Sequence, residues 1–83
     1  MSRVLKDDAE LGRAIEAMQK FCSEIDELVA NPLSEPEEVK TLTWRLNATA
    51  ELVQKYSRGR IVQSDPSRAS YYEVMGWDYQ VFT

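Results

Sequence analysis

The chain has 83 residues, which is enough for one small domain. Its formal net charge is −4, with 14 acidic against 10 basic residues, which disfavours tight binding to nucleic acid by charge alone. One cysteine and no histidine exclude an intrachain disulfide, a Cys/His zinc site and a Cys–His or Ser–His catalytic pair. A core of this size is marginal without such links, so we expect additional burial against a second copy or a larger partner.

The termini and the polar residues indicate a simple cytoplasmic protein. No apolar run of the signal-peptide type opens the chain, and no stretch approaches the roughly 20 apolar residues of a membrane span. Acidic pairs occur only on helix faces that are expected to be solvated, and there is no glycine-rich phosphate loop. We therefore predict no enzymatic activity, no cofactor, no metal site and no membrane partner.

The first predicted helix spans about residues 7–30. Asp7 or Asp8 is expected to cap its start, and Asn31 before Pro32 is expected to end it. Gly12 is either a tolerated surface glycine or a point of close backbone contact. Three apolar columns run along this helix at heptad positions a, d and e: Leu11, Met18 and Ile25; Ala14, Phe21 and Leu28; Ile15, Cys22 and Val29. Cys22 is therefore interpreted as a small core residue.

The second predicted helix spans about residues 35–58. Ser34 and Glu37 form a capping-box pattern around Pro36, and Gly59 is expected to end the helix as its C-prime residue. The main apolar row predicts a face that packs on the first helix: Val39, Leu42, Leu46, Thr49, Ala50, Val53 and Tyr56. A second row points in another direction and needs another cover: Trp44, Ala48 and Leu52.

The predicted fold is mainly α. The connector between the two helices is short, so residues 1–60 are expected to form an antiparallel two-helix hairpin. Two helices with this much apolar surface cannot cover each other fully. A second hairpin is the simplest completion, giving a four-helix bundle as a homodimer.

Residues 61–83 form a separate aromatic extension in this interpretation. Residues 61–63 are a short extended candidate, followed by a turn at 64–67. Trp77, Tyr79 and Val81 alternate with other residues, which favours a strand. A helix over Tyr71–Met75 is also compatible with the sequence, and glycine at position 76 could break or turn the segment.

An aromatic run of this kind is costly to expose and is typical of an interface. It could fold back over the second apolar row, pair with its copy, or add to the sheet of another protein. We predict a homodimeric, non-enzymatic protein-interaction module, such as a regulator, inhibitor or adaptor of bacterial or phage type. Its candidate partner-binding residues are Trp44, Leu52, Arg58, Arg60, Arg68, Tyr71, Tyr72, Trp77, Tyr79 and Phe82.

A nucleotide or nucleic-acid binder is the main alternative. Arginines at 58, 60 and 68 stand beside aromatic residues at 71, 72 and 77, a combination suited to stacking on bases. The competing interpretation is that these arginines neutralise the end of the second helix and the acids Glu73 and Asp78.

Two amphipathic helices followed by Asp65-Pro66 and Tyr72-Glu73-Val74-Met75-Gly76 also resemble a known arrangement. The order is similar to the helical lead-in that precedes the hotdog domain of some PaaI-like thioesterases. The resemblance implies that the hotdog sheet and the catalytic carboxylate would lie beyond residue 83, so this chain would be inactive alone.

Overall fold

The computed structural model describes residues 4–82, which are mainly helical. Helix α1 spans Asp8–Ala30, α2 spans Pro36–Ser64 and α3 spans Arg68–Met75. Within the described residues there is no strand. The predicted mainly α class is confirmed.

Helix α1 begins and ends as predicted. The Asp7 carboxylate accepts a hydrogen bond from the Glu10 amide at 2.9 Å, and the Glu10 carboxylate accepts one from the Lys6 amide at 2.7 Å. The first bond satisfies an amide that the first helical turn leaves without a partner, and the second ties the residue before the N-cap to the helix. The helix ends at Ala30, where the extended residue Asn31 precedes proline.

The capping box predicted for α2 is wrong. Glu35 is the N-cap residue, and it makes no side-chain capping bond. The Ser34 hydroxyl instead donates to the carbonyls of Leu28 and Asn31, at the end of α1. Those carbonyls lack helical partners, and the tight connector brings Ser34 to them. Ser34 therefore stabilises the end of the first helix and does not cap the second.

The predicted end of α2 near Arg58 is also wrong, because the helix continues through Ser64. Gly59 is buried inside the helix and is not a C-prime residue. The helix stops at Asp65, which precedes Pro66 and is excluded from helical geometry by it. Residues 61–63, predicted as extended, are helical, so the boundary placed at residue 60 falls inside α2.

Helices α1 and α2 lie side by side in opposite directions. The Tyr56 hydroxyl, late in α2, donates to the Asp8 carboxylate at the start of α1 over 2.5 Å. At the other end, Leu28 of α1 and Leu42 of α2 line the same groove. The a and d columns of α1 are half-buried, as expected for the contact face, and so is the main row of α2 up to Val53, whereas Tyr56 at the end of that row is buried. Trp44 and Ala48 of the second α2 row are exposed.

The e column of α1, made of Ile15, Cys22 and Val29, faces solvent. The prediction of Cys22 as a core residue is therefore wrong. One neighbouring helix covers only about a third of the circumference of α1, and that coverage goes to columns a and d.

The last residues form an irregular segment that returns along α2. The Gln80 amide donates to the Lys55 carbonyl at 3.0 Å, and the Gln80 side chain donates to the Leu5 carbonyl at 2.5 Å. The strand predicted for residues 77–81 is wrong, because the described residues supply no second strand to pair with it. The alternative helix over Tyr71–Met75 is confirmed as part of α3.

Gly76 ends α3 as a left-handed C-prime residue, with φ at 72°. Its amide donates to Glu73, and the Trp77 amide donates to the Tyr72 carbonyl at 2.9 Å. This turn sends the chain back towards α2. The prediction that Gly76 interrupts the segment is confirmed.

The molecule is elongated, with extents of 50 × 28 × 23 Å. Its radius of gyration is 15.7 Å, whereas a domain of this length averages about 12 Å. Its accessible surface is 6324 Å². The surface exceeds by about 1,200 Å² what a globular monomer of this mass exposes.

Candidate functional site

The buried residues among positions 4–82 gather at one end of the molecule, which we call the closed end. It comprises Leu5, Tyr56, Gly59, Tyr72 and the returning tail around Phe82. Leu5 is 3 % exposed and Tyr56 is 1 % exposed. Helix α1 contributes no buried residue. The core is therefore built by the two terminal segments on the C-terminal half of α2.

Tyr56 is the polar centre of the closed end. Its hydroxyl donates to Asp8 and accepts from the Arg60 guanidinium at 2.8 Å, so the buried phenol is fully paired. The hydrogen bond to the Asp8 carboxylate raises the pKa of Tyr56 above its ordinary value, and burial adds to this rise. Arg60 opposes the rise in the Tyr56 pKa, first through its hydrogen bond to the hydroxyl and then through its positive charge. This arrangement ties α1 to α2.

Phe82 covers the same region from the tail. Its ring meets the Tyr56 ring edge to face, with centroids 5.0 Å apart, and the Arg60 guanidinium lies 4.2 Å from its centroid. A Cβ at Gly59 would overlap the Gln80 carbonyl and would lie 2.7 Å from the Phe82 ring. The missing side chain of Gly59 is thus what lets the tail dock on α2.

A second aromatic cluster lies around α3. Tyr72 packs against Tyr71, Trp77 and Tyr79, with ring centroids 5.9–6.3 Å apart. Trp77 is 42 % exposed and lies beneath the Arg58 guanidinium at 5.4 Å. The cluster is a satellite core with one exposed side. The outward-facing apolar residues there include Tyr71, Val74, Met75 and Val81.

The structure brings together eight of the ten predicted partner-binding residues at the closed end. Of the other two, Leu52 is half-buried beside Leu5 and Phe21, next to the closed end, and Trp44 is 72 % exposed on the open half of α2. The tail does not cover the Trp44 row, which was one of its predicted positions. It covers Gly59 at the far end of α2 instead.

The three arginines of the predicted nucleotide site are engaged within the protein. Arg58 donates to the Asp78 carbonyl at 2.8 Å, and Arg60 donates to Tyr56 and to Gln63. Arg68 lies 5.8 Å from the Tyr71 ring. These contacts use the cations and ring faces that stacking on bases would require. The geometry therefore favours a structural role for the arginines.

The opposite end, which we call the open end, has no such cover. Leu33 in the connector is 88 % exposed, and Val29 and Trp44 are exposed nearby. A groove of about 400 Å³ is lined by Leu28, Glu37, Glu38, Thr41 and Leu42. An adjoining groove shares Glu37 and Thr41 and is also lined by Lys40 and Trp44. We name this continuous surface the Trp44 groove.

Two features of the closed end were missed in the sequence. Leu5 lies in a short lead-in with no periodic pattern, and its carbonyl accepts a hydrogen bond from a tail residue 75 positions away. Gly59 followed an arginine-rich helix end and matched a stop signal. A glycine inside a helix can also mark close backbone approach, and that is its role here.

Among residues 4–82, no helix is long and apolar enough to cross a bilayer. Over the same residues, no group of three or more His, Cys, Asp or Glu side chains is placed to hold a metal ion.

The chain matches no known protein-family model, and the comparisons with curated proteins and with solved structures also give no match. The resemblance to PaaI-like thioesterases stays a prediction.

Proposed function

We propose that this protein is a non-enzymatic protein-interaction module that works as a homodimer. The observation that carries the proposal is the uncovered α1, a 23-residue helix with no buried residue and an exposed apolar column. A stable interface buries about 800 Å² on each partner, which lies within the surplus surface of this chain.

The self-association surface in this proposal is the e column of α1, which we call the α1 face: Ile15, Cys22 and Val29. The neighbouring positions on its outer side are Gly12, Gln19 and Asp26, so the strip carries a single charge. In an isologous contact the same surface of both copies meets. A strip with a single charge brings few like charges together in such a contact. Pairing of two antiparallel α1–α2 hairpins through this face would give a four-helix bundle.

The proposal includes a role as a regulator, inhibitor or adaptor and a cytoplasmic location. The absence of histidine and of a nucleophile–base pair in the sequence supports a binding role over catalysis. The single unpaired cysteine suits a reducing compartment.

Sedimentation equilibrium tests the proposal. We expect a mass of twice 9.6 kDa at micromolar concentration and dissociation of Ile15→Glu to monomers, because a carboxylate on the α1 face would be buried without a partner. Val74→Glu, at an exposed position of α3, is the matched control and should remain dimeric. A wild-type chain that is folded and monomeric at every concentration would overturn the proposal. So would an Ile15→Glu variant that dimerises normally.

A further inference from the structure

We propose that the Trp44 groove binds a basic amphipathic helix from a different protein. This inference adds a target to the proposed homodimer and uses a different surface from the α1 face. It depends on three observations. The groove has apolar lining residues, it has acidic residues beside them, and the chain's own tail covers the side of α2 that carries Trp44 further along the helix, at Gly59.

The floor of the groove is apolar and its rim is polar. The half-buried Leu28 and Leu42 line one part of the groove, and the exposed Trp44 lines the adjoining part together with Lys40. Glu37 and Glu38 line the groove from the first turn of α2. A cleft between two antiparallel helices accepts a third helix that inserts side chains at i, i+3 and i+4 spacing. An exposed tryptophan is a typical anchor for such binding.

The charge of this end selects the partner. Six acidic and three basic residues lie between Lys20 and Arg45, so this stretch carries −3 of the net charge of −4. The last turn of α1 has no basic residue, and the first turn of α2 has two acids. Charge complementarity therefore favours a cationic occupant.

A second copy of the chain is a poor occupant of this groove. A twofold contact centred here would set the same acidic rim against itself, and like charges in an interface are unfavourable. The α1 face avoids this conflict because it carries few charges. The two surfaces are therefore assigned to different partners.

The closed end supplies a precedent for covering this stripe. Trp44, Ala48, Leu52 and Gly59 follow one side of α2 at spacings near multiples of a helical turn. Over Gly59 the stripe is covered by Gln80 and the Phe82 ring. Towards Trp44 it is bare. We expect the exposed part near Trp44 to be covered in the same way, by an apolar side chain that polar contacts on either side hold in place.

Fluorescence titration tests the proposal. The Trp77→Phe variant leaves Trp44 as the single tryptophan, and the probe is a synthetic amphipathic helix with leucine on one face and lysine on the other. We expect a saturable blue shift of Trp44 emission and weaker binding as salt increases. A peptide with the same leucine face and glutamate in place of lysine should bind at least about tenfold more weakly.

Calorimetric titration of variants with the lysine peptide locates the site. Trp44→Ala should weaken binding about thirtyfold, and the double variant Glu37→Gln, Glu38→Gln should weaken it about three- to tenfold. Trp77→Ala, at the other aromatic surface, should leave the affinity unchanged.

Three results would overturn the proposal. They are no saturable binding, equal binding of the glutamate peptide, or equal losses from Trp44→Ala and Trp77→Ala. If the Trp44→Ala variant were monomeric under conditions where the wild type is a dimer, the groove would be assigned to a second copy of the chain instead. Ile15→Glu separates this proposal from the homodimer, because the monomeric variant should bind the lysine peptide as well as the wild type does.

Discussion

The two halves of α2 differ in what covers them, although both carry apolar residues on the same stripe. The C-terminal half is enclosed by Leu5, Phe82 and the Gln80 backbone, and it holds the buried Tyr56 and Gly59. The N-terminal half presents Trp44 and Ala48 to solvent. The difference shows that apolar periodicity identifies surfaces that need cover. The cover itself is determined by where distant segments of the chain dock.

The largest difference in the free energy of unfolding should be between alanine substitutions of two leucines, Leu5 at the closed end and Leu33 at the open end. Leu5→Ala should lower the free energy of unfolding by about 2–5 kcal/mol, because it opens a cavity at the closed end. Leu33→Ala should change it by no more than about 0.5 kcal/mol, because Leu33 lies in solvent. Urea unfolding followed by circular dichroism, at a concentration where the chain is monomeric, measures both. Equal losses would contradict the division into a closed and an open end.

The two helical glycines provide the next comparison. Gly59→Ala should lower the free energy of unfolding by about 1–3 kcal/mol, because the new Cβ overlaps the Gln80 carbonyl and displaces the tail. Gly12→Ala should raise it by about 0.5–1 kcal/mol, since no atom lies within 4 Å of a Cβ there. In limited proteolysis, the Gly59→Ala variant should be cleaved within residues 77–82 more rapidly than the wild type. Stabilisation by both substitutions would show that the tail is not docked on α2.

The same two glycines show which features of the fold a local sequence pattern predicts. The surface interpretation of Gly12 is confirmed, and so are the start of α1 and the contact columns a and d. Those features depend on residues within a few turns of one another. Gly59, Leu5 and the irregular tail depend on contacts between segments far apart in sequence, and no local pattern reports such contacts. The arginines were correctly placed near the aromatic residues, but the ring each one contacts was not predictable.

The alkaline limit of stability should depend on Tyr56. The hydrogen bond to Asp8 raises the pKa of Tyr56 above 10.0. The contribution of the protonated Tyr56 hydroxyl to the free energy of unfolding is therefore fully present below pH 10.0 and is lost as the pH rises through the raised pKa. Asp8→Asn should bring the tyrosine titration closer to the ordinary pKa. Ultraviolet absorbance of tyrosinate and unfolding at increasing pH give the two readouts. Identical titration curves for wild type and Asp8→Asn would remove Asp8 as the cause.

The smallest effect should appear at acidic pH, in the turn before α3. The Ser67 hydroxyl donates to the Asp65 carboxylate at 2.6 Å and lowers the pKa of Asp65 below 3.8. Its contribution to stability is present above that ordinary value and is lost as pH falls through the lowered pKa. Carboxyl NMR titration should show the Asp65 pKa rising in Ser67→Ala. No change in that variant would mean that the hydroxyl does not hold the turn.

Amide hydrogen exchange along α2 tests the central claim most directly, at a concentration where the chain is monomeric. One helix contains both the covered and the bare half, so the comparison is internal. We predict slow exchange for residues 53–62, beneath the two termini, and faster exchange for residues 40–48, beside the Trp44 groove. Uniform protection along the helix, or stronger protection of residues 40–48, would contradict the account.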